Sequence, residues 1–188
     1  MIGWAILSTG TRRGNGPIWH LCVRGSGPLS AAARAAASAV IAGRAGDLVD
    51  SFGPASVALY RAIRSECETQ SLVERLWATG VETGLPAVVD SDTLVFRHYG
   101  PGDQTVAATF GTREPLPTAH PIVPDLIVMP MVGFDRAGMR LGYGRGYYDF
   151  AINRLRDTGQ QPRLVGLAFS VQEVETIPAE SHDVRLDF

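Results

Sequence analysis

Apolar and polar positions along this chain switch between a helical period and short continuous apolar runs, and the switch recurs several times. The alanine-rich stretch from Ser30 to Arg44 has high helix propensity, with Gly43 and Gly46 as stop signals. Ser56-Val-Ala-Leu-Tyr60 is a short apolar run that predicts a buried strand. Ser71-Leu-Val-Glu74 carries the spacing of a capping box and predicts an amphipathic helix running towards Gly80. Leu85-Pro-Ala-Val-Val89 and Thr93 to Tyr99 are rich in β-branched or aromatic residues and predict two further strands. Asp125-Leu-Ile-Val-Met-Pro130 and Arg163-Leu-Val-Gly-Leu-Ala-Phe169 have the unbroken apolar character of parallel strands covered on both faces, and a helix is expected between them from Tyr147 to Asp157. Strands alternating with helices in this way predict an α/β fold, a single domain with a mainly parallel sheet flanked by helices.

The length of 188 residues suits one sizeable core and leaves little room for a second. Hydrophobic residues make up 45% and charged residues 19%, with a formal net charge of -2, so neither disorder nor a nucleic-acid footprint is indicated. There is no lysine, so all 17 basic residues are arginine, which matters wherever chemistry would want a lysine. Cys22 and Cys67 are too few for a disulfide framework and fit a reducing, cytoplasmic setting. The apolar start Met1 to Leu7 lacks a basic leader and gives way to Ser8-Thr9-Gly10, unlike a signal peptide, and no stretch approaches the roughly 20 apolar residues of a membrane span. Pro115, Pro117, Pro121 and Pro124 forbid helix between Gly111 and Pro124 and predict a long irregular connection. Residues 1–28 have poor helix composition and are set apart as an N-terminal segment, 1–28, ahead of a domain, 29–188, a division that the resemblance described below implies.

The most informative window runs from Met131 to Asp149, between a buried strand and a helix, where open α/β sheets bind their ligands. Gly142, Gly144 and Gly146 alternate, so the backbone can turn its N–H groups inward and let phosphate oxygens approach. The following helix adds the positive end of its dipole, and Arg140 and Arg145 flank the loop with donors suited to phosphate. The spacing is neither that of a dinucleotide-binding fold nor that of a P-loop. The bland alternative is a tight turn with solvated arginines and Asp149 as a helix cap.

Phe134-Asp135, Gly138 and Arg140-Leu-Gly-x-Gly-x-Gly-Tyr-Tyr-Asp149 together resemble the signature of 5-formyltetrahydrofolate cyclo-ligases. Four further segments resemble that family in order: Ser65-Glu-Cys-Glu-Thr69, Arg113-Glu-Pro115, Asp125 to Pro130, and Pro178-Ala-Glu-Ser-His-Asp183. The likeness runs from about Tyr60 to Phe188. It implies a fold of the NagB/RpiA/CoA-transferase-like type. It also implies an enzyme in which ATP phosphorylates the formyl oxygen of 5-formyltetrahydrofolate, so that ring closure gives 5,10-methenyltetrahydrofolate. Phosphoryl transfer asks a protein chiefly for positioning and charge neutralisation. On this resemblance Arg140, Gly142, Tyr143, Gly144, Arg145, Gly146, Tyr147 and Tyr148 bind the nucleotide, and Arg140, Arg145 and Tyr147 act in catalysis. Tyr60, Glu66, Tyr143 and Tyr147 contact the folate, and Asp149 and Asp183 hold Mg²⁺. One of the two adjacent tyrosines packs in the core while the other faces the site, and His182 is a structural neighbour of Asp183. No nucleic-acid or membrane partner is implied, and a monomer is expected.

The family opens with a basic helix containing K-x-x-x-R, for which this chain offers only arginines such as Arg12, Arg13 or Arg34. Weaker ATP binding than in relatives is the corresponding expectation. Two alternatives stand beside the ligase: a non-catalytic folate or nucleotide binder, and a paralogous ligase with another substrate.

Overall fold

A computed structural model describes residues 29–188 and two short segments ahead of them, β1 (Gly10–Thr11) and β2 (Pro17–Ile18), which pair antiparallel. Arg12, Arg13, Trp19 and Cys22, and with them the expected character of residues 1–28, lie outside the described residues.

Helix α1 (Ala31–Phe52) starts where expected, with Ser30 Oγ accepting from the Ala33 N–H, but it continues through both predicted stops. Its termination falls instead at Gly53, which adopts φ 58° and returns its N–H to the last turn. Gly43 and Gly46 do not break the helix because tertiary contacts reward its continuation. A Cβ at Gly46 would sit 2.5 Å from Arg75 Nη1, and the same guanidinium donates to the Gly43 carbonyl, Asp47 and Asp50. Beyond the glycines, Ala45 and Val49 are fully buried.

Strand β3 (Ser56–Ala58) leads to α2 (Gln70–Ala78) and β4 (Glu82–Val88), which turns back as β5 (Leu94–His98). The expected capping box is not formed. Thr69, not Ser71, is the N-cap residue, and its hydroxyl donates to the Tyr60 carbonyl, while Glu74 accepts from Gln70 on the helix surface. Within the proline-rich connection, β7 (Arg113–Pro115) pairs as a small antiparallel ribbon with β6 (Thr105–Ala107), which precedes it, so the connection is less irregular than expected. Strand β8 (Leu126–Met129) precedes a hairpin of β9 (Gly133–Phe134) and β10 (Arg140–Leu141), helix α3 (Tyr147–Asp157) and strand β11 (Arg163–Gly166).

The main sheet has the order β11-β8-β3-β4-β5, parallel throughout except for the antiparallel edge strand β5. Pro86 is tolerated within β4 because pairing with β3 ends at Gly84, so its missing N–H leaves no gap in that ladder. Strand β8 is buried along its whole length, and its alternating side chains feed two cores. Leu126 and Val128 join Ile41, Val49, Leu72 and Leu76 of α1 and α2 on one face. Ile127 and Met129 join Ile152 of α3, Phe96 and Leu164 on the other. Burying each such aliphatic side chain is worth about 1.5–3 kcal/mol, so the double coverage of β8 anchors the three layers. The architecture is the expected α/β one.

Candidate active site

The parallel strands deliver their carboxyl ends to one side, and a cavity of about 830 Å³ opens there. Tyr60 after β3, Val88 at the end of β4 and Pro130 after β8 form its floor, with the loop Gly142–Gly146 along one wall. This is where the strand-to-helix pattern placed a site.

The loop is held at both ends. The β9–β10 hairpin turns on Asp135, which is buried and accepts from the N–H groups of Ala137, Met139 and Ile177 at 2.8, 3.0 and 3.0 Å. Asp135 therefore ties the hairpin to the C-terminal segment, a role its place in the Phe134-Asp135 motif signalled but did not specify. From β10 the chain passes through Gly142 and Gly144, where a Cβ would meet nothing within 4 Å, so the loop is open on that side. Gly144 and Gly146 have φ of 82° and 64°, conformations that a side chain would strain. Gly146 caps α3 with no side-chain partner, which leaves first-turn N–H groups available to an anion.

Arg140, expected to reach phosphate, is otherwise engaged. Its Nη1 donates to the Val184 carbonyl at 2.6 Å and its Nη2 to Asp149 Oδ1 at 2.8 Å. The pair is buried, with side-chain exposures of 6% and 14%. Asp149 Oδ1 also accepts from the Val184 N–H at 2.9 Å. These three groups fasten β10, the start of α3 and the C-terminal segment together. Asp183 lines the same cavity and accepts from the Glu180 N–H at 2.7 Å. His182 stacks on Phe150 at 5.4 Å, in keeping with a structural role.

At the opposite wall the chain between β3 and α2 is pinned inward. The Tyr60 hydroxyl donates to the Cys67 carbonyl at 2.8 Å, and Ser38 of α1 accepts from the Glu68 N–H. Tyr60 is thus mainly a scaffold residue, and its burial raises its hydroxyl well above the usual phenol range. Glu66 is buried, accepts from the Ile63 N–H at 2.9 Å, and accepts from the Tyr143 hydroxyl at 3.2 Å. Burial raises its carboxyl above the ordinary glutamate value, against the lowering effect of those hydrogen bonds and of Arg64. Tyr143 is half exposed, with the Arg64 guanidinium 5.6 Å from its ring centroid. Tyr147 and Tyr148 both line the cavity and both pack against the α3-side core. Tyr148 is the more enclosed of the two, with its ring centroid 6.4 Å from that of Phe96 and its hydroxyl pushed up by burial. Arg145 and Arg61 line the cavity as well, and Arg61 donates to the Tyr99 hydroxyl.

Thr109, Thr112, Arg113 and Glu114 also line it, a wall given no site role from the sequence although Arg113-Glu-Pro115 resembled a family segment. Burial raises the Glu114 carboxyl.

The cavity draws together each segment that resembled a family motif near a strand end. A sequence model described as the 5-formyltetrahydrofolate cyclo-ligase family matches residues 21–188. The chain belongs to that family. The match reaches well ahead of Tyr60, the point at which the likeness was expected to begin. The chain is 33% identical to the 5-formyltetrahydrofolate cyclo-ligase of Escherichia coli over 137 residues, 70% of this chain and 74% of that protein. It is 32% identical to the Haemophilus influenzae 5-formyltetrahydrofolate cyclo-ligase, covering 74% and 77%. The solved structure of a 5,10-methenyltetrahydrofolate synthetase from Aquifex aeolicus superposes with a TM-score of 0.68 at 28% identity, covering 84% of this chain and 79% of that one. That of Mycoplasma pneumoniae superposes with the same TM-score at 22% identity, covering 85% and 87%, which supports the family fold. Among the described residues no helix is long and apolar enough to cross a membrane.

Proposed function

We propose that this chain catalyses the ATP-dependent conversion of 5-formyltetrahydrofolate to 5,10-methenyltetrahydrofolate, with release of ADP and phosphate. The observation that carries the proposal is the contact between Glu66 and Tyr143, residues 77 positions apart. It joins the segment that would hold the pteridine end of a folate to the glycine loop that would hold a triphosphate, in one cavity. Transfer of a phosphoryl group to the formyl oxygen requires that proximity.

The residues fit both ligands. The open glycine loop and the uncapped N-terminus of α3 supply backbone donors for phosphate oxygens, and Arg145 on the loop adds charge. Asp149 and Asp183 offer hard oxygen donors of the kind Mg²⁺ prefers, and an ion held by them would supply charge neutralisation to the phosphates. Arg140 orients Asp149 in this reading and acts as a positioning residue. Glu66, with its raised carboxyl, can hydrogen-bond a pteridine nitrogen with or without a proton. Tyr143, amphipathic and half exposed, suits a planar ring beside it, and Tyr147 lies between loop and core where both ligands converge.

The test is to mix the protein with 5-formyltetrahydrofolate, ATP and Mg²⁺ and follow the new absorbance of the conjugated methenyl bridge together with ADP. Product in step with ADP is expected. Gly144→Ala, strained at φ 82° and placing a methyl group where phosphate would approach, is expected to raise KM for ATP at least about tenfold. ADP formation that ignores the folate, or no product with both ligands bound, would refute the reading.

A further inference from the structure

At the far end of the sheet from this cavity, Glu82 opens β4, His98 closes β5, and His120 lies in the proline-rich connection just before Pro121. The backbone fixes all three. Gly84 pairs with His98 across β4 and β5, the His98 N–H donates to the His120 carbonyl at 2.9 Å, and Arg97 bridges to Pro121. Arg97 Nη1 donates to the carbonyls of Pro117 and Ala119, which clamps the connection against the sheet edge.

The three side chains converge. Glu82 Oε1 is 3.0 Å from His120 Nε2 and 3.4 Å from His98 Nδ1, and the three atoms all lie within 4.8 Å of one another. Donors around a tetrahedral ion with bonds near 2.0–2.1 Å stand about 3.4 Å apart, so the Glu82–His98 pair already has that spacing, and the hydrogen-bonded Glu82–His120 pair at 3.0 Å has to open slightly to reach it. The imidazole rings stack at 4.6 Å and 20°, which turns both nitrogens towards the same carboxylate. His98 Nδ1 is shut away from solvent without a hydrogen-bond partner among the described residues, an arrangement that wants a ligand. The other ring nitrogen of His98, Nε2, faces Asp103 Oδ2 at 3.8 Å, and Asp103 is itself held by the Gly100 N–H at 2.7 Å. A carboxylate behind the far nitrogen of a histidine is the outer-shell arrangement that orients metal-bound imidazoles.

We infer that Glu82, His98 and His120 form a binding site for a divalent transition-metal ion of the zinc class, with Asp103 orienting His98. Two imidazoles and one carboxylate favour such an ion over Mg²⁺ or Ca²⁺, which prefer oxygen donors throughout. Glu82 sits six residues along β4 from the cavity-lining Val88, or about 20 Å, and His98 four residues along β5 from the cavity-lining Leu94, or about 13 Å. The ion is therefore a staple between the sheet edge and the proline-rich connection, apart from the nucleotide site.

The experiment uses the full chain, stripped with chelator and dialysed, and Zn²⁺ alone as the probe, read by calorimetry and thermal denaturation. One equivalent should bind, and at about a hundredfold excess over Kd the Tm should rise by roughly 5–10 °C. His120→Ala, at a largely exposed side chain, should keep the metal-free Tm and lose at least about a hundredfold in affinity, and Glu82→Gln should do the same. Asp103→Asn should weaken binding about 10–100-fold. His182→Ala should leave it unchanged. An absent heat and Tm response overturns the site, as does binding that survives His120→Ala or disappears in His182→Ala.

Discussion

Replacing Asp149 with alanine should damage the fold before it affects any ligand. Asp149 Oδ1 receives both the Arg140 guanidinium at 2.8 Å and the Val184 N–H at 2.9 Å, and the Arg140 side chain is only 6% exposed. Alanine leaves that guanidinium with the Val184 carbonyl alone and leaves the Val184 N–H unpaired. Breaking a buried ion pair from one side costs about 3–5 kcal/mol. For a chain of this size that corresponds to a fall in Tm of about 6–20 °C. The measurement is thermal denaturation of the ligand-free protein, with three companions to the wild type: Asp149→Ala, Asp149→Asn, and the double variant Arg140→Met with Asp149→Leu. Asparagine keeps an acceptor for the Val184 N–H and should fall less. The double variant removes both charges and should recover much of the loss. A Tm for Asp149→Ala within about 2 °C of wild type would show that the pair carries no stability, leaving ligand binding as the aspartate's role. Loss of activity in that variant is therefore informative about a metal only at a temperature where it is folded.

Three other outcomes follow from the packing and the raised pKa values. Because burial raises the Glu66 carboxyl, the folded state binds its proton more tightly than the unfolded chain, so this residue's contribution to stability is present below the unfolded pKa of about 4.3 and is lost as pH rises through the folded value. Glu66→Gln should flatten Tm against pH in the window just above about 4.3, and parallel curves for the two proteins would contradict this. Burial likewise pushes the Cys67 thiol up to about 11, so in a Cys22→Ser variant the remaining thiol should react with a disulfide reagent near neutral pH only when denaturant unfolds the chain; rapid labelling of native protein would argue the reverse. Gly84→Ala would set a Cβ 2.8 Å from the Arg97 carbonyl and 2.9 Å from Ile122 Cγ1, so it should cost about 1–3 kcal/mol in denaturant titration, and a variant as stable as wild type would show that β4 and β5 separate freely.

The alternation of short apolar runs with helical stretches was enough to place β3, β8, β11 and α3 and to make the sheet mainly parallel, because a strand covered on both faces must be apolar throughout and β8 is. The glycine spacing and the arginines beside it marked Met131 to Asp149 as a candidate anion-binding window, since backbone freedom is a property of the residue itself, and residues of that window line the cavity. Where the outcome depended on a distant partner, local sequence was silent or misleading. Helix α1 passes Gly43 and Gly46 because Arg75 of α2 lies over them, and Thr69 displaces the expected capping box because its hydroxyl serves Tyr60. Arg140 carries the chemistry of a phosphate ligand, yet its surroundings turn it towards Asp149 and Val184. The meeting of Glu66 with Tyr143 and the grouping of Glu82, His98 and His120 arise from the strand order β11-β8-β3-β4-β5 and the turns at its ends. Periodicity records which face of an element is buried, whereas only the closed sheet decides what that face meets.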